Sequence, residues 1–188
     1  MYFDKIIKII DLLIIILFSP LFLLLFIIIS ILILIIENDK VFFCQIRQGK
    51  NNKKFNIIKF KTIYHKDDGS ERISKLGNLL RRSSLDEIPQ IINIIKNDMS
   101  FVGPRPLPLY NFDADLKKLL KKRSLILPGL TGFSQINYTG IKRTYKQKFE
   151  LDIYYVKNRN LKLYFLIIFK TFLIIYFRFK KNIKGQTL

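Results

Sequence analysis

Asp86 and Glu87 are adjacent carboxylates in the run Arg81-Arg82-Ser83-Ser84-Leu85-Asp86-Glu87-Ile88-Pro89-Gln90, shortly before Gly103-Pro104-Arg105-Pro106. Two acids with arginines on either side in sequence suit chemistry on a phosphate. Attack on a diphosphate needs an ionised nucleophile, cations to neutralise the phosphate oxygens, and a leaving group in line. A carboxylate at a helix start is held ionised by the macrodipole and by free N–H groups. Neighbours in a helix point about 100° apart, so the two acids cannot act as one bidentate unit. They can divide the work, one attacking phosphorus while the other binds a metal. Magnesium is the matching ion, since it is satisfied by one or two carboxylates plus phosphate oxygens. Without context the pair would be an ordinary helix-start feature. Arg105 supplies the context: between Pro104 and Pro106 its backbone has little freedom, which pre-orders a planar fork for phosphate. Arg81 lies about one turn before the acids and can reach the same phosphate, whereas Arg82 points elsewhere.

The elements that must carry these residues begin with a stretch free of charge. Leu12 to Ile36 is interrupted only by Ser19, Pro20 and Ser30. As a straight helix it would reach about 37 Å, against a hydrocarbon layer of roughly 30 Å. It is too long for a signal-peptide core and lacks a small-residue cleavage site, so it is expected to be retained. Pro20 removes a backbone donor and disfavours helix at Ser19. A sharp kink there gives a helix-break-helix that enters and leaves on one face. A mild one gives a tilted span in which Ser19 or a neighbour satisfies the freed carbonyl. Lys5 and Lys8 before the segment and a basic domain after it do not choose between them. Asp4, Lys8 and Asp11 recur at helical spacing and make Tyr2 to Asp11 an interfacial lead-in.

Beyond it, Val41 to Arg47 and Phe55 to Thr62 read as strands joined through Gln48-Gly49-Lys50-Asn51-Asn52. Lys59 and Lys61 share one face of the second strand, as phosphate contacts or as a solvated edge, with Phe60 on the other. Tyr64 to Glu71 reads as a polar loop holding His65, to which no role is assigned. Ile73 to Leu80 and Leu85 to Met99 follow as amphipathic helices. Ser84 and Glu87 match a capping box, while Pro89 pulls the start toward Leu85 or Asp86. Residues 101–110 hold three of the six prolines and form a stiff loop. Asp113 to Arg123 reads as a basic helix, and Pro128-Gly129-Leu130-Thr131-Gly132 as a turn before Phe133 to Ile136. Arg143 to Asn158 is helical. Leu161 to Phe179 is apolar but carries Lys162, Lys170 and Arg178, which suits an interfacial or core-packed helix better than a span.

The net charge of +19 and pI near 10 imply attraction to phosphates, whether of nucleic acid, anionic lipid or a phosphorylated substrate. A bias toward Lys, Ile and Asn accounts for much of the bulk charge. A nucleic-acid binder would interleave its basic stripe with stacking aromatics; here the aromatics fall mostly inside apolar runs. A scaffold gripping anionic lipid leaves the Asp-Glu and Pro-Arg-Pro arrangement unexplained. Cys44, the single cysteine, reads as a small buried residue of the first strand.

Taken together these stretches resemble the bacterial sugar transferases, small monotopic phosphoglycosyl transferases that initiate glycan assembly on a polyprenyl phosphate. The resemblance runs from about Phe3 to Gln186. It rests on Ser19-Pro20, Lys59-Phe60-Lys61-Thr62, Arg81 through Gln90, Asp98 through Pro106, Pro128 through Gly132, and Asp152-Ile153-Tyr154-Tyr155. It implies a mixed α/β fold, with residues 1–40 as a re-entrant membrane helix. Residues 41–188 would form a small, mostly helical catalytic domain with a β-hairpin on the cytoplasmic face of the inner membrane. It implies Asp86 as nucleophile, Glu87 as magnesium ligand, and Arg81, Arg105, Lys59 and Lys61 as phosphate contacts. Gln135, Asn137 and Asp152 are expected as further substrate contacts. The implied reaction moves a phosphosugar from a UDP-sugar to polyprenyl (undecaprenyl) phosphate and releases UMP. The implied partners are these substrates, membrane lipids and downstream glycosyltransferases, with no nucleic acid. One departure stands out: many relatives have Gly-Arg after Gln-(Val/Ile)-Asn, whereas this chain reads Tyr138-Thr139-Gly140, with Lys142 or Arg143 as substitutes. Tyr145 stands where relatives often have Trp.

Overall fold

A computed structural model describes residues 2–65, 69–137 and 143–184, with side chains to residue 178. The first element, α1 (Tyr2–Glu37), is helical throughout, including at Ser19 and Pro20. The helical run is thus continuous through the position of the expected kink. The reason is local: the Ser19 hydroxyl donates to the Ile16 carbonyl at 2.8 Å, and Ile16 is the residue four before Pro20 whose carbonyl the proline cannot serve.

Ile7, Asp11, Ile15, Ile29 and Ile33 are the buried residues of α1. At 100° per residue they fall within about 80° of one another around the axis, so a single stripe meets the rest of the molecule. The early part of the stripe packs on two clusters. Ile7 joins Val102, Ile126, Tyr155, Tyr164 and Ile167, and Ile15 joins Ile57, Ile94 and Met99. The late part, Ile29 and Ile33, packs on Phe60 and Leu80. Between them Leu17, Leu21, Leu23 and Leu24 are exposed. The expected interfacial lead-in is tied into the rest of the molecule by its acids. Asp11 is buried, accepting from Tyr164 Oη and from the Phe101 N–H, while Asp4 pairs with Lys50 and Arg159.

The hairpin forms as β1 (Phe42–Gln48) and β2 (Lys54–Phe60), antiparallel, with Cys44 opposite Ile58 and Phe43 opposite Lys59. A 3₁₀ turn over Lys50–Asn52 closes it. Cys44 is exposed rather than buried, on the same outward side as Phe42 and Ile46. The loop expected after the hairpin is a second small one, β3 (Ile63–His65) against β4 (Glu71–Ile73). Helix α2 (Lys75–Ser83) starts two residues later than its apolar pattern, because Ser74 caps it by accepting from the Gly77 N–H.

The stretch Leu85 to Met99 is not one helix. Ser84 adopts φ 59°, a 3₁₀ segment runs from Leu85 to Gln90, and α3 is only Ile91–Ile95. Pro89 lacks the N–H that an α-helix begun at Leu85 would need there, and the tighter turn accommodates it. The capping box is also not made: Ser84 gives no side-chain cap.

Strand β5 (Ser100–Val102) runs parallel to β6 (Gly129–Thr131). Gly103 and Gly129 let the two backbones meet. A Cβ on Gly129 would lie 2.0 Å from the Gly103 nitrogen, so neither position can carry a side chain without moving the loop that follows. The remaining elements are α4 (Ala114–Arg123), α5 (Phe133–Ile136), α6 (Tyr145–Asn158) and α7 (Leu161–Lys184). Asp113 caps α4 and a Thr144–Gln147 capping box starts α6. The fold is thus a mixture of helices and small sheets behind a long apolar N-terminal helix.

Candidate active site

Asn93 fixes the acidic segment against the hairpin. Fully buried on α3, it donates Nδ2 to the Asn56 carbonyl (2.8 Å) and accepts from the Ile58 N–H at Oδ1 (3.1 Å). One amide thus satisfies β2 as a neighbouring strand would. That contact sets the 3₁₀ segment over β2, where Lys59 Nζ meets Glu87 Oε1 at 2.5 Å. Arg105 approaches the same oxygen, with a terminal guanidinium nitrogen at 3.6 Å. Residues 28 and 18 positions from Glu87 in sequence therefore converge on one carboxylate.

Asp86 beside it is only 9% exposed. The expectation that the helix start would hold it ionised fails. Burial and the Glu87 charge push its carboxyl up to about 6, against the pull of Lys59 and Arg81. Desolvation outweighs the cations because a six-residue 3₁₀ segment is too short to offer a full macrodipole. Asp86 is still mostly ionised at neutral pH, and its oxygens are more basic than those of an ordinary carboxylate.

The Pro-Arg-Pro loop is held from beneath. Arg123 is 5% exposed, lies over the Phe149 ring at 4.8 Å, and donates through Nε and a terminal nitrogen to Asp152 Oδ2 at 2.9 and 2.6 Å. It also donates to the Arg105 carbonyl at 2.8 Å. The Gly129 N–H donates to the Pro104 carbonyl at 3.0 Å. Asp152, expected to touch substrate, is therefore a buried partner of Arg123 and acts on the site through the Arg105 backbone. Asp152→Asn would leave Arg123 buried without its counter-charge, a loss on the order of 3–5 kcal/mol. Urea unfolding should show that drop, together with a fall in turnover from a loosened Arg105.

Lys61 does not join the cluster. Its Nζ bonds Asp39 at 2.6 Å and lies over the Tyr64 ring, because β2 ends at Phe60 and the chain turns away. Asn137 folds back onto the Phe133 carbonyl at 2.8 Å. Gln135 lies on α5 with Oε1 buried, and among the described residues neither bonds the acidic pair. Tyr138, Thr139, Gly140 and Lys142 lie outside the described residues. Arg47 was given no role from sequence; a terminal nitrogen donates to Gln45 Oε1, and burial, followed by the Arg105 charge, lowers its guanidinium. Its signal was the strand period: Arg47 and Gln45 share the face of the hairpin that also carries Lys59.

Among the described residues no three His, Cys, Asp or Glu side chains gather into a metal cage. The Glu87 carboxylate, next to Asp86, is the oxygen donor that an ion completed by phosphate oxygens, as magnesium is, would take.

The chain is 39% identical over 130 residues to a sugar transferase of Bacillus subtilis, EpsL, covering 63% of this chain and 61% of that one. It is 33% identical over 175 residues to a UDP-N-acetylgalactosamine-undecaprenyl-phosphate N-acetylgalactosaminephosphotransferase of Aeromonas hydrophila, covering 86% of this chain and 41% of that one. It is 34% identical over 184 residues to the exopolysaccharide production protein ExoY of Rhizobium meliloti, covering 84% and 77%. The match thus spans well under two thirds of several curated relatives and most of others. Residues 3–178, α1 and the whole Asp86 neighbourhood included, match the family described as bacterial sugar transferase, and the chain belongs to that family.

Proposed function

We propose that the chain transfers a phosphosugar from a UDP-sugar to polyprenyl (undecaprenyl) phosphate, releasing UMP, with Asp86 as a covalent carrier. The observation that carries this reading is a buried carboxylate among Lys59, Arg81, Arg105 and Glu87, on a domain packed along an apolar helix. An Asp86 oxygen attacks the phosphorus that bears the sugar. The new O–P bond replaces the bond to the second phosphate, and UMP departs with that oxygen and its electron pair. Polyprenyl phosphate then attacks the same phosphorus, the Asp86 O–P bond breaks, and the carboxylate is regenerated. Glu87 would hold magnesium, which supplies charge neutralisation on the diphosphate when bound. Lys59 and Arg105, now shared by Glu87, are the cations that a diphosphate would recruit.

Residues 1–40 are proposed to seat in the cytoplasmic membrane from one side, with residues 41–188 at its cytoplasmic face. Ile7 near the start of α1 and Ile29 and Ile33 near its end both pack on the same domain, and its exposed middle is apolar, which supports this one-sided seating. Incubating the purified chain in nanodiscs with polyprenyl phosphate, magnesium and a panel of UDP-sugars should release UMP with at least one of them. A thiol tag fused ahead of Tyr2 should stay unlabelled from outside intact cells. Silence across the panel would end the first proposal, and outside labelling the second.

A further inference from the structure

Asp11 is the one polar residue on the buried stripe of α1, whose other members are Ile7, Ile15, Ile29 and Ile33. It is 3% exposed, and the mechanism above does not use it. Packing gives no reason for an acid there, because burying a charge is costly unless several donors meet it. Among the described residues no cation pairs with it; Lys50 and Arg159 both pair with Asp4. Two neutral donors hold Asp11 instead, the Tyr164 hydroxyl of α7 and the Phe101 N–H of β5, the latter at 3.3 Å. Phe101 lies between Ser100 and Val102, the residues of β5 that pair with β6, so its N–H points to the opposite edge. The strand is therefore held from both sides. The Pro128 and Thr131 carbonyls accept from the Ser100 and Gly103 N–H groups at one edge, each at 2.9 Å, and the α1 carboxylate accepts at the other. Helix α7 closes the frame, with the Thr171 and Thr131 hydroxyls 2.6 Å apart.

Phe101 stands four residues before Arg105, and the link between them has little slack. A Cβ on Gly103 would lie 2.4 Å from the Leu127 carbonyl oxygen, and the Gly129 N–H holds the Pro104 carbonyl at 3.0 Å. Pro104 and Pro106 restrict the backbone on either side of the arginine. A shift of β5 is therefore passed on to Arg105 rather than absorbed. We propose that Asp11 is a positioning residue for Arg105: the N-terminal helix fixes the outer edge of β5 through this carboxylate, and thereby the guanidinium that faces Glu87. This rests on the transfer reading, in which Arg105 neutralises the diphosphate, and deepens it. Asp11 immediately precedes the uncharged stretch that begins at Leu12, so the contact joins the lipid-facing part of the chain to the site.

The decisive variant is Asp11→Leu, which keeps a branched side chain of similar size beside Ile7 and Ile15 but accepts no hydrogen bond. On the full chain in nanodiscs it should lower kcat/KM by about 10- to 100-fold, as misplacing a group from a distance does. Asp11→Asn keeps a carbonyl oxygen for the Phe101 N–H and should recover to within about three-fold of wild type. In an Arg105→Ala background, Asp11→Leu should cost less than about two-fold, because the group it positions is gone. Equal losses in both backgrounds would mean a general structural role and overturn the proposal, as would normal activity in Asp11→Leu. Hydrogen exchange supplies a readout that needs no turnover. The amides of residues 101–105 should exchange about ten-fold faster or more in Asp11→Leu, while those of α3 keep their rates. A rise spread evenly over the domain, or no rise, would equally overturn it. Tyr164→Phe removes one hydroxyl from the same contact and should show both effects in weaker form. It replaces Asp11→Leu if that chain does not fold. If the wild-type chain releases no UMP, the transfer reading falls, and the exchange pattern alone decides whether Asp11 sets the loop.

Discussion

Asp86→Asn should abolish both UMP release and phosphosugar transfer while making the fold more stable. The amide keeps the shape but has no charge and little nucleophilicity, so the first displacement has no attacking atom. Wild-type protein mixed with UDP-sugar alone should release about one UMP per site, and mass spectrometry should find the phosphosugar on the peptide containing Asp86. Both signals should vanish in the variant. The stability effect has a definite sign. The folded Asp86 carboxyl is pushed up to about 6 from the ordinary 3.8, so the folded state binds more protons between those values. Stability therefore falls as pH rises from about 4 to about 6, and the cost is fully present at neutral pH. On the order of 1–3 kcal/mol is at stake, and Asn, having no charge to desolvate, escapes it. Activity runs the other way. Only the carboxylate attacks, so the rate of the first half-reaction should fall about ten-fold per unit below pH 6. A variant that kept releasing UMP, or kinetics requiring both substrates bound before any UMP appeared, would sink the mechanism.

The same residue shows what was legible in the sequence. The acid pair, its arginines and the hydrophobic helix were readable because each is a local pattern of type and spacing. Lys59 was readable for the same reason, through strand alternation. What was not readable depended on contacts far apart in the chain. The raised Asp86 carboxyl comes from burial, which no adjacent residue announces, and a helix-start argument gave the opposite sign. Asp152 and Arg123 are 29 residues apart, and nothing in either neighbourhood says that they are partners rather than ligands. Asp11 read as part of an interfacial lead-in, yet Tyr164 and the Phe101 N–H take it into the core. Lys61 was lost to the site by a strand that ends two residues early. Pro20 teaches the converse: the sequence contained both the disruptive residue and the Ser19 hydroxyl that compensates for it.

Arg105→Lys should lower kcat/KM by about 10² to 10³, close to the loss in Arg105→Ala, although it preserves the charge. The structure explains why charge alone will not serve. The Arg105 backbone is fixed by Pro104 and Pro106, by the Gly129 N–H on the Pro104 carbonyl, and by Arg123 on its own carbonyl. The side chain is 54% exposed and leaves this rigid base with one terminal nitrogen 3.6 Å from Glu87 Oε1. A planar fork so placed can meet Glu87 with one nitrogen and a phosphate oxygen with another, and the gain comes from two directed bonds at a preset angle. An ammonium on a flexible stem offers one strongly hydrated point and must be ordered anew at each turnover. The Lys59–Glu87 pair at 2.5 Å supplies the contrast. Lys59 already acts as a point charge, so Lys59→Arg must fit a bulkier group between β2 and the 3₁₀ segment and should also lose activity, through displacement of Glu87. Near-normal kcat/KM in Arg105→Lys would mean that the loop delivers only charge, and the directed-fork role would have to be abandoned. A deep loss in Arg105→Lys, with an unchanged unfolding midpoint, would place the defect in transition-state neutralisation rather than in the fold.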